Sequence, residues 1–263
     1  MIARAALHFY EEPCLSGKEG SGTVFFSGCN LKCVFCQNKE ISRGAAGHAV
    51  SVKELADTFL KLQSIGANNI NLVTPSHYYL QIKEALILVR DELKIPVIAN
   101  TSSYDSVAVL KQMEGLIDIY LADFKYITPE ISKKYSGAAD YPDVAKDAID
   151  EMVRQVGEPC FDSRGIMKKG VIIRNLLLPG HVKESKECIK YIYEKYGDKV
   201  YISVMNQFTP YKIPENFKEL DRKVTYREYE RLLKYVTELG VTNAYIQEGD
   251  TAKESFIPEF EKN

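Results

Sequence analysis

Three cysteines within a short stretch are the residues of this chain best able to do chemistry. Cys29, Cys33 and Cys36 stand at C-x3-C-x2-C spacing inside Gly28-Cys29-Asn30-Leu31-Lys32-Cys33-Val34-Phe35-Cys36-Gln37-Asn38. Three thiolates this close can take three irons of a [4Fe–4S] cube. The fourth iron then stays open to a substrate or cofactor, whereas four-cysteine ligation gives a closed electron-transfer cluster. A structural zinc site is a competing reading. It wants four ligands, often as two paired knuckles. No second C-x2-C pair is present, and His48 is the nearby candidate for a fourth ligand. The other three of the six cysteines, Cys14, Cys160 and Cys188, have no partner at ligand spacing. Cys188 falls in a helical pattern and reads as core. Cys14 and Cys160 each follow a Glu-Pro pair and are either redox handles or buried thiols.

The elements that must position this loop are visible in the hydrophobic pattern. Apolar runs at 23–27, 69–73, 96–99, 118–122, 170–176, 200–205 and 243–247 are mostly continuous rather than alternating. That is expected of strands in a parallel sheet covered on both faces by helices. Between them, 51–65, 79–93, 103–113, 142–156, 182–196 and 225–239 have helical period. Ser51 with Glu54 fits a capping box, and Gly66 and Gly240 are placed to end helices. The β-α order repeats about six times, the pattern of an α/β fold with helical crossovers.

A full (β/α)8 barrel needs ~250 residues. The chain has 263, and its first ~20 residues and cysteine loop are not barrel units, so the expectation is a single-domain partial (β/α)6 TIM-like barrel with parallel strands. Its parts are a lead-in at 1–22, a barrel at 23–250 and a tail at 251–263. Segments 123–141 and 158–169 are expected to be long irregular connections that carry substrate contacts. The cysteine loop follows the first of the expected strands directly, at the carboxyl end of the sheet, where such barrels place their chemistry.

Composition narrows the partners. Apolar residues are 45% and charged residues 27%, which excludes disorder, collagen and small disulfide scaffolds. Lys+Arg at 34 against Asp+Glu at 36 leaves a formal charge of −2. This near-neutral balance argues against nucleic acid and against a polybasic membrane patch. The first residues carry no apolar signal region, and no apolar run reaches the roughly 18 residues of a membrane span. The expected location is the cytoplasm, where thiols stay reduced and clustered cysteines bind metal.

The motif Gly28-Cys29-Asn30-Leu31-Lys32-Cys33-Val34-Phe35-Cys36-Gln37-Asn38 after a first strand resembles the signature of radical S-adenosylmethionine (SAM) enzymes. Within that superfamily the chain resembles the pyruvate formate-lyase activating enzymes and their PflX-like branch. The lead-in Glu11-Glu12-Pro13-Cys14 with Gly20-Ser21-Gly22-Thr23 carries that finer likeness. The resemblance implies that Cys29, Cys33 and Cys36 are metal ligands and catalytic residues, holding one [4Fe–4S] cluster whose fourth iron chelates SAM. One electron, from a donor such as flavodoxin or ferredoxin, cleaves SAM to methionine and a 5′-deoxyadenosyl radical that takes a hydrogen atom from the substrate. The implied substrate is a glycyl-radical protein; a small molecule or a peptide side chain is the alternative. The residues up to Asn263 hold no cysteine-rich stretch of the kind that carries auxiliary clusters, so a single cluster is expected.

Further cofactor contacts follow position by position. Phe35 resembles the residue that packs on adenine, with Gln37 and Asn38 beside it; the plain alternative is a core aromatic. The family's Gly-Gly-Glu-Pro motif appears here as Val73-Thr74-Pro75-Ser76-His77, matching only at Pro75, and Thr74 offers acceptors in place of the Glu. His77 either takes part or opens the next helix. Asn100-Thr101-Ser102-Ser103 resembles Asp-Thr-Asn-Gly with Asn100 in the acidic place, which leaves a monovalent-cation site open to question. Asp123-Phe124-Lys125 matches an Asp-x-Lys motif that meets the SAM carboxylate and ribose; otherwise it is an exposed pair worth little. Arg174, in an apolar run, is costly to bury unpaired and either meets a carboxylate near SAM or makes a structural ion pair. Gln207, at the end of the sixth strand, points to the SAM edge or substrate. His181, after a Pro-Gly turn, lines the mouth or is solvated.

Overall fold

The computed structural model describes residues 1–44 and 46–247. The expected residues 248–250 at the barrel end and the tail 251–263 lie outside them. In chain order the strands are β1 (Ile2–His8), β2 (Ser21–Phe26), β3 (Ile70–Val73), β4 (Val97–Thr101), β5 (Ile119–Asp123), β6 (Cys160–Phe161), β7 (Met167–Leu176), β8 (Tyr201–Met205) and β9 (Ala244–Ile246). The main sheet runs β1-β2-β3-β4-β5-β7-β8-β9, and β6 is a short antiparallel addition to β7. Every pairing from β2 to β9 along that order is parallel. Among the described residues β1 and β9 do not pair, so the sheet does not close. This is a mostly parallel, single-domain α/β fold, as the apolar runs require.

The helices form where amphipathic period and end signals agree. Ser51 caps the helix Val52–Ser64 with a complete capping box to Glu54. Thr225 and Glu228 do the same for Tyr226–Leu239, which Gly240 ends in the left-handed region. Leu55, Phe59 and Leu62 of the first of these helices are buried against the outer face of the sheet.

Three segments depart from expectation. Residues 2–8 are a strand, antiparallel to β2. Its sequence lacks a continuous apolar run because it is an edge strand, with a half-wet face and a half-buried side-chain pattern. The stretch 123–141 is not irregular throughout: it contains the helix Pro129–Ser136, started by a proline in its first turn and ended by Gly137 at φ +76°. In 158–169, β6 and the start of β7 form a hairpin.

The lead-in does more than add a strand. Pro13–Ser16 is a single helical turn, and Cys14 and Leu15 pack with Ile98, Ile119, Leu121, Met167 and Ile172. The last five come from β4, β5 and β7, so the turn plugs the floor of the barrel. Two amides fix it there: Asn68 donates to the Ser16 carbonyl and Asn69 to the Leu15 carbonyl, both at 2.8 Å.

Candidate active site

Side chains alternate across a strand, so residues two apart share a face. Asn100 follows Ile98 on β4, Asp123 follows Leu121 on β5, and Arg174 follows Ile172 on β7. Each polar residue therefore sits one step above the apolar floor, facing the interior. Parallel register sets Asp123 opposite Arg174 and Asn100 opposite Val73. The ends of β4, β5 and β7 thus present polar groups to the interior, with Asn100 in register with Leu121, two residues before Asp123.

Those groups lock together. Arg174 donates from Nε to Asp123 Oδ1 at 2.8 Å and from Nη2 to Asn100 Oδ1 at 2.7 Å. Lys125 Nζ donates to Asp123 Oδ2. Glu11, from the segment entering the plug, pairs with Arg174 Nη1 at 3.5 Å. It accepts from Asn71 at 3.1 Å and Asn100 at 3.3 Å. Burial alone pushes Asp123 up, but the charges of Arg174 and Lys125 outweigh it and hold the carboxyl below its usual range. Lys125 and Arg174 are pushed down by burial and raised further by Asp123, so both stay charged. Glu11 and Glu12 are raised, because burial outweighs the attraction of Arg174.

The cysteine loop lies across these strand ends. A cavity of about 260 Å³ joins the two. Cys33, Phe35, Cys36, Gln37 and Asn38 of the loop line it, as do Asn100, Asp123, Lys125, Arg174 and Gln207 from the strand ends. Phe35 is buried with its ring centroid 5.9 Å from that of Phe208, another wall residue. Gln207 accepts from Gln247 at 3.1 Å. Cys29 is not on the wall but lies close enough to feel the charges of Cys36 and Lys125. Thr74 and Pro75 are also off the wall. Thr74 takes φ +58°, and its N–H donates to the Asn100 carbonyl at 2.9 Å. His77 is exposed, in the turn before the helix Tyr79–Leu88. His181 meets the Tyr135 hydroxyl at 2.9 Å.

Wall residues that the sequence did not disclose include the polar trio His8, Tyr10 and Glu11. They come from the first ten or so residues, whose entry into the barrel no periodicity announces. The usable signal was electrostatic. An Arg within an apolar run and an acidic pair before a proline each need a partner, and they are each other's.

The donor set suits an iron–sulfur cluster. All three thiols are free and unpaired. Burial pushes Cys33 up to about 11 and raises Cys29, while the Lys125 charge pulls both back. Among the described residues no three His, Cys, Asp or Glu side chains converge on one point able to hold a single ion. Cubane ligation does not ask for that, because each thiolate takes a different iron. Cys14 is buried, with its thiol pushed up to about 11 by burial, Cys188 is buried in its helix, and Cys160 is exposed.

Comparison with known proteins agrees with this arrangement. The sequence pattern of the Radical SAM superfamily matches residues 23–206. The uncharacterized protein MJ0674 of Methanocaldococcus jannaschii is 30% identical over 91% of this chain and 68% of its own length. Among solved structures, methylornithine synthase PylB superposes with a TM-score of 0.59 at 15% identity, over 85% of this chain and 63% of that one. SuiB of Streptococcus suis, bound to S-adenosylmethionine, gives 0.57 at 16% identity, over 86% and 50%. The FeFe-hydrogenase maturase HydG of Carboxydothermus hydrogenoformans gives 0.53 at 17%, over 91% and 61%. The chain spans only part of the length of these solved proteins, and the likeness to them is one of fold. Among the described residues no helix is long and apolar enough to cross a membrane. Family pattern and cysteine motif coincide: the chain belongs to the radical SAM superfamily, whose members use SAM and a [4Fe–4S] cluster.

Proposed function

We propose that this chain cleaves SAM reductively and uses the resulting radical to take hydrogen from a polypeptide. The observation that carries the reading is the shared cavity: two thiols of the triad open into the space that holds Phe35, Asp123 and Lys125. Cys29, Cys33 and Cys36 would hold three irons. When bound, the cluster supplies the electron that splits SAM into methionine and a 5′-deoxyadenosyl radical.

The chain's own residues bind and orient. The Lys125 ammonium, fixed by Asp123, pairs with the carboxylate of SAM. The Phe35 face packs on adenine, and Gln37 and Asn38 meet its polar edge. Gln207 contacts the SAM edge or the substrate. Arg174 and Asn100 hold Asp123 in place, and the apolar plug beneath them keeps bulk water from the floor. A donor such as flavodoxin or ferredoxin brings the electron, in a reducing cytoplasm that keeps the thiols free.

For the substrate we favour a glycyl-radical protein, in keeping with the Glu11-Glu12-Pro13-Cys14 likeness to activating enzymes. Among the described residues β1 and β9 stay unpaired, and an unclosed barrel supports the entry of a protein loop. SuiB, which shares the fold, has been solved bound to its precursor peptide SuiA. The test is anaerobic reconstitution with iron and sulfide, then dithionite and SAM. Formation of 5′-deoxyadenosine and methionine is expected; bound iron without SAM cleavage under any condition overturns the reading. Deuterium passing from a labelled peptide, and not from small metabolites, into 5′-deoxyadenosine identifies the substrate class.

A further inference from the structure

The helix Pro129–Ser136 ends against the cysteine loop. Its last carbonyls accept from the loop backbone: Lys32 N donates to Ser136 O at 3.0 Å and Val34 N to Tyr135 O at 2.9 Å. These two N–H groups flank Cys33 and are consumed there, so neither is free to reach its sulfur. The Ser136 hydroxyl reaches it instead, with Oγ at 2.9 Å from Cys33 Sγ. Behind it stands a second hydroxyl, with Tyr126 Oη 2.8 Å from Ser136 Oγ. Tyr126 and Ser136 are buried at 0% and 1% exposure. Among the described residues the Tyr126 hydroxyl has no other hydrogen-bond partner.

The chemistry of a ligating cysteine fixes the direction of this chain. A free thiol can donate, so either orientation serves the metal-free protein. A thiolate bound to iron has no proton and can only accept. Ser136 must then donate to the sulfur, which leaves its oxygen to accept from Tyr126. Hydrogen bonds to cluster sulfurs are among the levers that set reduction potential. A donor favours the reduced cluster, which carries one more negative charge, and a polarised donor favours it more.

Taking the triad as cluster ligands, we infer that Tyr126 and Ser136 form a two-hydroxyl relay aimed at Cys33 that raises the reduction potential of the cluster. They are positioning residues: neither lines the cavity that receives SAM. The relay assigns unequal surroundings to the three sulfurs. Cys36 has only the weaker approach of the Ser42 hydroxyl at 3.6 Å, which also bonds its own helix carbonyl at 3.3 Å. Cys29 accepts from the Leu31 backbone N–H at 3.4 Å.

The test is a redox titration of the anaerobically loaded protein, followed by the electron paramagnetic resonance signal of the reduced cluster. Ser136→Ala should shift the reduction equilibrium three- to tenfold toward the oxidised form, which at 59 mV per decade for one electron is about 30–60 mV more negative. Tyr126→Phe should move it the same way by less. The double variant should match Ser136→Ala alone, because Tyr126 acts only through the serine. A loaded Ser136→Ala protein with an unchanged or raised potential overturns the relay and leaves the radical SAM reading intact. A double variant that sums the two single shifts also overturns it. Should Ser136→Ala take up no cluster, Tyr126→Phe decides alone: a lowered potential supports the relay, and an unchanged one sinks it. A wild-type chain that takes up no iron sinks the relay and the proposed function together.

Discussion

The cysteine loop and the charged ladder beneath it face each other across one cavity and are built on opposite principles. The loop is short, local and half-exposed; its order comes from backbone bonds to a neighbouring helix and from the group it is suited to hold. The ladder joins residues as far apart as Glu11 and Arg174 by direct bonds between protein side chains. One region is chemically open and structurally cheap to alter. The other is interlocked, and its members depend on each other. Damage to the loop should therefore remove function and spare the fold, whereas damage to the ladder should harm both.

The largest effect tests the loop half of that contrast. Cys33→Ala removes one of three ligands, so bound iron and 5′-deoxyadenosine formation should both fall below detection. The backbone bonds on either side of Cys33 remain, so thermal unfolding should move by no more than a few degrees. Iron analysis, product assay and calorimetry read all three. A folded variant that keeps its iron breaks the assignment of the triad; a variant that does not fold breaks the contrast.

Arg174→Met tests the other half. It removes the cation that joins Glu11, Asn100 and Asp123 and strips this buried cluster of one of its two positive charges. Removing one partner of a buried pair costs about 3–5 kcal/mol, which for a domain of this size is roughly 6–20 °C in Tm. Lys125 still pairs with Asp123, so cluster loading should survive in the folded fraction while SAM cleavage falls. A Tm unchanged within a degree would mean that the ladder is no more than a decorated cavity wall.

The two regions also differ in how far the sequence disclosed them. The loop was legible because its chemistry is contiguous: spacing alone restricts what three cysteines can do. Strand positions were legible for the same kind of reason, since a buried parallel strand needs a continuous apolar run. Asp123, Lys125 and Arg174 were found at strand ends, yet their mutual bonding was not, because contact between strands is set by register and sheet order. Strand β1 and Glu11 stayed hidden. An edge strand needs no apolar run, and the descent of residues 11–16 into the barrel is fixed by Asn68 and Asn69, amides that read as ordinary polar residues before a strand. The helix Pro129–Ser136 was hidden too; it is short, and its apolar character is slight.

The smallest effect concerns pH and separates two carboxylates of the ladder by sign. Asp123 is held below its ordinary 3.8, so its contribution is present above that value and is lost as pH falls through the folded-state pKa. Glu11 is raised above its ordinary 4.5, chiefly by burial. Between 4.5 and its raised value the folded chain holds a proton that the unfolded chain has released. Its contribution is therefore full at low pH and is lost as pH rises through that window. Glu12 is raised by burial as well, so the two glutamates titrate as a pair. Glu11→Gln keeps the shape and fixes the neutral state, and it should flatten the fall in Tm above pH 4.5 while leaving the acid limb due to Asp123 in place. Cluster loading should not change, because no thiol touches Glu11. A Tm-against-pH curve identical to wild type would show that Arg174 holds Glu11 ionised throughout, and the floor of the barrel would then carry more negative charge than its burial suggests.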